Sequence, residues 1–345
     1  MDLMRAVVMR NRALVLADVP VPRSGPGEVL VRTLACGICG SDLHALEHAD
    51  QMVEASRRAG RARVMDLGRD IVMGHEFCAE IVEHGPGTTR ALPVGARVCS
   101  QPMVVREGVP ETIGYSNDHP GGYGEYMRLT EALLLPVPAG LPTDHAALTE
   151  PMAVGVHAVQ KARLVAEDAP IVVGCGPVGL AVVAALRLTR TEPIVAADFS
   201  PRRRELATRL GAHVVVDPAK TTVWESRPVG RPLVVFECVG VPGMLDDLMA
   251  AALHGTRIVV VGVCMEPDTI HPLLGIMKEL QLQFVLGYTP EEFATTLRHI
   301  AEGEIPVAPL ITGRVGLEGV PAAFDELASP ERHAKILVQP SRSGT

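Results

Sequence analysis

Ile171-Val172-Val173-Gly174-Cys175-Gly176-Pro177-Val178-Gly179 is the stretch on which the reading of this chain turns. Three β-branched residues run directly into the glycine pattern, and an apolar, helix-forming run follows it. The pattern GxGxxG is weak by itself and gains meaning from a strand before it and a helix after it. The three glycines have separate tasks: Gly174 permits a tight turn, Gly176 lets the backbone approach a pyrophosphate, and Gly179 lets helix and strand pack closely. A helix opening at Pro177 and Val178 presents free N–H groups and the positive end of its dipole to phosphates. Gly174, Gly176, Pro177, Val178 and Gly179 are therefore expected to hold a dinucleotide.

Outward from this turn the chain alternates between strands and helices from about residue 155 to 288. Candidate strands are 171–173, 194–197, 214–216, 233–237, 258–261 and 282–286, with helical runs at 178–188, 202–210 and 244–253 between them. Such alternation implies a doubly wound parallel sheet, an α/β Rossmann domain. The second strand ends at Asp198, 24 residues after Gly174. An acid there accepts hydrogen bonds from the adenosine ribose and repels a 2′-phosphate, so NAD is expected rather than NADP. Arg202, Arg203 and Arg204 pull the other way, because a nearby arginine can hold that phosphate. They read equally as a solvated first helical turn or as flanks of the adenine, and Arg203 joins the cofactor-binding candidates.

Residues 1 to about 150 have a different rhythm. Short apolar or alternating runs, 6–9, 29–34 and 77–82, are separated by turns such as Ser24-Gly25-Pro26-Gly27, which predicts mostly β structure. A charged stretch at 46–70 breaks the pattern and reads as an inserted, partly helical surface segment. After about 290 the sequence shows one helical run near 291–301 and a closing strand at 335–338. The expected organisation is thus 1–154 with 289–345 as one mostly β domain, and 155–288 as the coenzyme domain.

Chemistry concentrates in the first part. Cys36-Gly37-Ile38-Cys39-Gly40-Ser41-Asp42-Leu43-His44 carries a CxxC without the second CxxC of a structural zinc finger and without a thioredoxin-like βαβ start. His75-Glu76 follows in a Gly-His-Glu motif, and Glu150-Pro151 stands where the two rhythms meet. Taken singly, His75 reads as a structural histidine and Glu150 as a loop acid.

Taken together, CGICGSDLH at 36–44, GHE at 74–76, PGGYGEY at 120–126, EPMAVGVHA at 150–158 and GCGPVG at 174–179 resemble the zinc-containing medium-chain dehydrogenase/reductases, the alcohol and polyol dehydrogenase family. The resemblance spans nearly the whole chain and implies a GroES-like catalytic domain. It implies a catalytic zinc on Cys39, His75 and Glu150, three protein ligands with an open position. Glu76 joins as an occasional ligand, and Asp42 orients His75. It further implies hydride transfer between an alcohol (primary, secondary or polyol) and NAD. Ser41 would accept the alcohol proton and relay it through the nicotinamide ribose, and His44 would deliver it to solvent. Many members hold a second, structural zinc on four close cysteines. Between His84 and Tyr126 this chain has only Cys99, so one zinc per chain is expected.

Composition sets the outer limits. A formal net charge of -8 disfavours nucleic acid and anionic membranes as partners. No apolar run suits a membrane span or a signal peptide. Seven scattered cysteines, an odd number, point to reduced thiols and a cytoplasmic protein. A homodimer or homotetramer is expected, pairing through the strand edge near 282–286. Two rivals stay open: a zinc-free quinone or enone reductase on the same fold, and a non-catalytic nucleotide-binding protein.

Overall fold

Leu3–Arg10 (β1) and Ala13–Pro20 (β2) form an antiparallel hairpin in the computed structural model, and Ile71–Val72 (β4) pairs with the other side of β1. The structure describes residues 2–106, 108–329 and 331–342. Glu28–Gly37 (β3) alternates buried and less buried positions over most of its length, as a half-covered strand must. It leads into helices Gly40–Glu47 (α1) and Ala49–Arg58 (α2). Then follow Glu76–His84 (β5), Arg97–Ser100 (β6), a hairpin of Met103–Arg106 (β7) with Val109–Thr112 (β8), Tyr126–Thr130 (β9) and Leu134–Pro136 (β10). Helices Thr143–Ala146 (α3) and Thr149–Ala162 (α4) follow.

The second sheet is parallel throughout. Its strands are Ala169–Val173 (β11), Val195–Ala197 (β12), Val214–Val216 (β13), Leu233–Glu237 (β14), Arg257–Val260 (β15) and Gln281–Phe284 (β16). They pair in the order β13-β12-β11-β14-β15-β16, the 3-2-1-4-5-6 order of a doubly wound dinucleotide fold. The central strands are continuous apolar runs because helices cover both faces of such a sheet. Pro177–Thr189 (α5) buries every residue from Gly179 to Leu186. Pro201–Leu210 (α6) is capped by Ser200, whose Oγ accepts the Arg203 N–H at 3.1 Å. Met244–Ala251 (α7), Pro272–Lys278 (α8) and Pro290–Ala301 (α9) complete this part.

The chain ends with Ile311–Val315 (β17), Val320–Leu327 (α10) and Lys335–Val338 (β18). β18 runs parallel to β17 and antiparallel to β3, with Leu337 opposite Gly37 and Val338 opposite Cys36. The resulting sheet reads β10-β6-β5-β3-β18-β17, with β9 also on β3. Val29, Val31, Ile81, Val98, Met127, Leu129, Ile336 and Val338 fill its core. The chain's last strand therefore lies beside the Cys36–Cys39 segment.

By internal contacts the chain divides into Met1–Glu150 with Ile311–Ser329 and Lys335–Thr345, and Pro151–Leu310 with Pro330–Ala334. The division falls inside the first turn of α4. Helix α9 goes with the parallel sheet's unit, where Glu292 Oε2 meets His157 Nδ1 of α4 at 2.8 Å. Several elements differ from the sequence reading. The inserted stretch is helical from Gly40 rather than from 46, with a break at His48. Helix α4 was not anticipated around Glu150-Pro151, although proline is tolerated in a helix's first turn. After residue 301 the single expected strand is joined by β17 and α10, the first interrupted by Gly313 and the second opening on Pro321.

Candidate active site

The GCGPVG turn joins β11 to α5, and its three glycines stand in three different settings. Gly174 has φ +90°, a left-handed value that favours glycine. A Cβ on Gly179 would lie 1.8 Å from the Gly174 carbonyl oxygen. A Cβ on Gly176 would meet nothing nearer than the Arg203 guanidinium at 4.0 Å, so this position faces open space. Helix α5 begins at Pro177 with Val178 beside it, and no side chain of the described residues caps its amino end. Exposed N–H groups at the start of a helix suit an anionic ligand.

Asp198 closes β12 beside this turn. Its Oδ2 accepts the Cys175 N–H at 2.7 Å and its Oδ1 the Ser200 N–H at 2.8 Å. Arg203 Nη1 stands 3.8 Å from Asp198 Oδ2. Arg204 turns away, donating to the Asp198 and Phe199 carbonyls, and Arg202 donates to the Glu331 carbonyl. Of the three arginines, Arg203 is the one next to the glycine turn.

The second cluster forms where β3 runs into α1. Cys39 is the N-cap of α1, and its N–H donates to Asp42 Oδ2 at 3.1 Å, half of a capping box. Cys36 is fully buried against Gly74 and Gly122, where a Cβ would come within 2.9 and 2.6 Å of its sulfur. Asp42 is wholly buried and also accepts the Tyr123 hydroxyl at 2.6 Å. His75 Nδ1 points toward Asp42 Oδ1 at 3.4 Å, without the alignment of a hydrogen bond. Burial resists a charge on His75, yet the Asp42 carboxylate and then Cys39 hold its pKa well above the ordinary value. The Cys39 thiol is held up by burial and by the Glu76 charge, against the pull of His75 and Lys335.

The sulfur of Cys39, a ring nitrogen of His75 and a carboxylate oxygen of Glu76 lie within 4.8 Å of one another. A thiolate, an imidazole and carboxylates are an acceptable zinc donor set, and the buried, unbonded Nδ1 of His75 fits a ring still to be fixed by a ligand. The structure does not place Glu150 in that tight group. It lies in the first turn of α4, close enough to help keep Lys335 charged.

Lys335 is the participant that the sequence reading missed. Its Nζ donates to the Ile38 carbonyl at 3.0 Å and to both Glu76 oxygens at 2.8 and 2.7 Å. Lys335 and Glu76 are 3% and 0% exposed, so neither charge finds compensation in solvent. Gly37 makes the seat possible, since a Cβ there would lie 2.0 Å from Glu76 Oε2. The signal was a lysine opening an otherwise apolar strand, Lys335-Ile336-Leu337-Val338. Tyr115 is the other omission: its hydroxyl lies 2.8 Å from Ser41 Oγ and 2.9 Å from Asp42 Oδ1. Ser41 and His44 are both partly exposed on α1. The His44 pKa is lowered, chiefly by burial and next by His48, with Glu47 opposing.

The same two halves emerge from comparison with known proteins. Residues 25–139 match the alcohol dehydrogenase GroES-like domain, and residues 177–302 match a zinc-binding dehydrogenase domain. A (R,R)-butanediol dehydrogenase of Bacillus subtilis is 33% identical, covering 94% of this chain and 96% of the relative. An L-threonine 3-dehydrogenase of Rhizobium rhizogenes is 29% identical over 95% of this chain and 96% of its own. The crystal structure of 2R,3R-butanediol dehydrogenase from Bacillus subtilis superposes with a TM-score of 0.83 at 29% identity, covering 98% of this chain and all of that one. With both domains matched and a relative similar over nearly its full length, the chain belongs to the zinc-containing medium-chain dehydrogenase/reductase family and is an oxidoreductase of the alcohol and polyol dehydrogenase type.

Proposed function

We propose that this protein interconverts a secondary alcohol bearing a neighbouring polar group and the corresponding ketone, with NAD as coenzyme and one zinc per chain. The convergence of Cys39, His75 and Glu76 donor atoms beside α1 carries this reading. The zinc-free reductase needs no such cluster. The butanediol and threonine dehydrogenases among the relatives support the substrate class, because 2R,3R-butanediol and threonine both carry a secondary hydroxyl next to a second polar group.

We assign the metal to Cys39, His75 and Glu150. Both oxygens of Glu76 are engaged by Lys335, which makes Glu76 a ligand in reserve. When bound, zinc supplies a Lewis acid that lowers the pKa of an alcohol hydroxyl. Asp42, itself fixed by the Tyr123 hydroxyl, stands 3.4 Å from His75 Nδ1, where it would orient the ring once the metal is bound. Ser41 accepts the alcohol proton, and His44, three residues on and so on the same face of α1, passes it to solvent. Its lowered pKa keeps the His44 imidazole neutral and receptive near pH 7.

For the coenzyme, Gly176 leaves room for the pyrophosphate and Asp198 brings an anionic carboxylate to where a ribose would lie, which favours NAD. Arg203 beside Asp198 tempers that preference. Two further features complete the proposal. The edge strand β16, the residues just after it and helix α8 carry exposed Leu273, Ile276, Met277, Phe284 and Leu286, a surface suited to a second copy of the chain. Among the described residues no helix is long and apolar enough to cross a membrane, and the seven free cysteines suit a reducing cytoplasm.

The experiment is an assay of NAD reduction with butanediol stereoisomers and threonine, before and after chelation. Activity lost on chelation and restored by zinc supports the reading. Turnover indifferent to chelation overturns it.

A further inference from the structure

Tyr115 lies far in sequence from the residues of α1, in the segment between β8 and β9. Its neighbours are fastened to the inserted stretch that follows α2. Ser116 donates to Glu111 at 2.7 Å, and Glu111 is paired with Arg63 at 2.7 Å. Asn117 Oδ1 accepts the Asp66 N–H at 2.8 Å while its Nδ2 donates to the Asp66 carbonyl at 2.9 Å. Arg69 pairs with Asp118 at 2.9 Å. The insert and the segment thus hold each other, and the residue they present between them is Tyr115. Its ring lies 5.2 Å from that of His75, centroid to centroid.

A phenol carries one hydrogen, and Tyr115 has two acceptors in reach, Asp42 Oδ1 at 2.9 Å and Ser41 Oγ at 2.8 Å. The carboxylate is the stronger acceptor and takes that hydrogen. Ser41 can both donate and accept. With the phenol's hydrogen committed to Asp42, the 2.8 Å contact is completed by Ser41 donating to Tyr115 Oη.

We propose that Tyr115 is a positioning residue that takes up the Ser41 hydrogen, so that a lone pair of Ser41 Oγ is left to receive the substrate proton. This rests on the reading of Ser41 as proton acceptor given above. As the alcohol proton reaches Ser41 Oγ, the hydrogen that Ser41 had directed at Tyr115 Oη leaves toward His44 in the same step, so Ser41 keeps one hydrogen throughout and one proton enters as one leaves. The inserted segment acquires a task in this scheme: it fixes the part of the chain that delivers Tyr115.

The test is a cycle of Tyr115→Phe, Ser41→Ala and the double variant in the zinc-loaded enzyme. Phenylalanine keeps the ring beside His75, and Asp42 retains the Tyr123 hydroxyl and the Cys39 N–H. Zinc content is therefore expected to hold. Losing one hydrogen bond that orients a reacting group is expected to lower kcat about tenfold, with KM changed less than about twofold. In the Ser41→Ala background, adding Tyr115→Phe is expected to change kcat less than about twofold, because the group it positions is gone. Thermal unfolding reads the contact without turnover: the Tm losses of the two single variants are expected to exceed that of the double when summed. A Tyr115→Phe enzyme at full rate, an undiminished effect in the Ser41→Ala background, or additive Tm losses would each overturn the proposal. A Ser41→Ala enzyme at full rate has a different meaning: it sinks the relay itself, whatever the Tm cycle shows.

Discussion

At the scale of single residues, the buried Lys335–Glu76 pair makes the sharpest demand. Removing one partner of a buried pair strands the other's charge and costs about 3–5 kcal/mol, whereas replacing both by groups of similar volume is often neutral. Lys335→Met is therefore expected to lower stability by about that amount in denaturant unfolding. The double variant with Glu76→Gln should recover most of it. A Lys335→Met protein as stable as the parent contradicts the pairing. His44 gives a second prediction at this scale. A lowered pKa means that the imidazole gains its proton only below the usual midpoint of about 6.5. Alcohol oxidation should accordingly fall in acid along a limb centred below that value, as the receiving nitrogen becomes protonated. His44→Gln should lower the plateau and flatten the limb, and a pH–rate profile unchanged by that substitution speaks against His44 in the relay. The motif residues Cys39, Ser41, Asp42, His44 and His75 were legible because they crowd into short stretches of sequence. Lys335 and Tyr115 were not, because each reaches the site across a fold that brings distant segments together, from β18 and from the segment after β8.

At the scale of elements, the β11–turn–α5 unit was legible in full. A continuous apolar strand, three spaced glycines and an apolar helix each have a local cause, and in the structure Gly174 takes a left-handed φ, Gly179 has no room for a Cβ and Gly176 faces open space. Gly179→Ala tests it directly, since the new methyl group would sit 1.8 Å from the Gly174 oxygen and must push the turn open. We expect NADH binding, followed by fluorescence titration, to weaken at least about tenfold, a loss of about 1.4 kcal/mol. Unchanged binding would place the coenzyme elsewhere. The elements that escaped the sequence reading are short or atypical. Strand β17, Ile311–Val315, carries Gly313 and has no fully buried position to set an alternation, and helix α10, Val320–Leu327, has Pro321 in its first turn. Helix α4 hid behind Pro151, because a Glu-Pro pair reads as a loop until the proline is seen in the first turn. The inserted segment was recognised as a charged, partly helical surface, but its pairing with residues 111–118 is tertiary and left no local trace.

At the scale of the whole molecule, the alternation of strand and helix announced the coenzyme unit. The chain's return to the first sheet through β17 and β18 was only half visible, in the closing apolar run 335–338. Oligomer formation belongs to this scale too. Phe284 and Leu286 are 64% and 77% exposed at the edge of the parallel sheet. If that edge pairs with another copy, Leu286→Asp should shift the protein to monomer in light scattering after gel filtration. A parent protein already monomeric at micromolar concentration would contradict the pairing. In the proposed reading the metal belongs to the unit of Cys39 and His75 and the coenzyme to the unit of the glycine turn, and zinc content tests the first half directly. We would determine zinc per chain by elemental mass spectrometry on the purified protein and on a Cys39→Ser variant. The account predicts about one ion per chain in the parent and a near-complete loss in the variant. A parent protein that holds no zinc after expression with ample metal, or a Cys39→Ser variant that keeps its full zinc content, would contradict it.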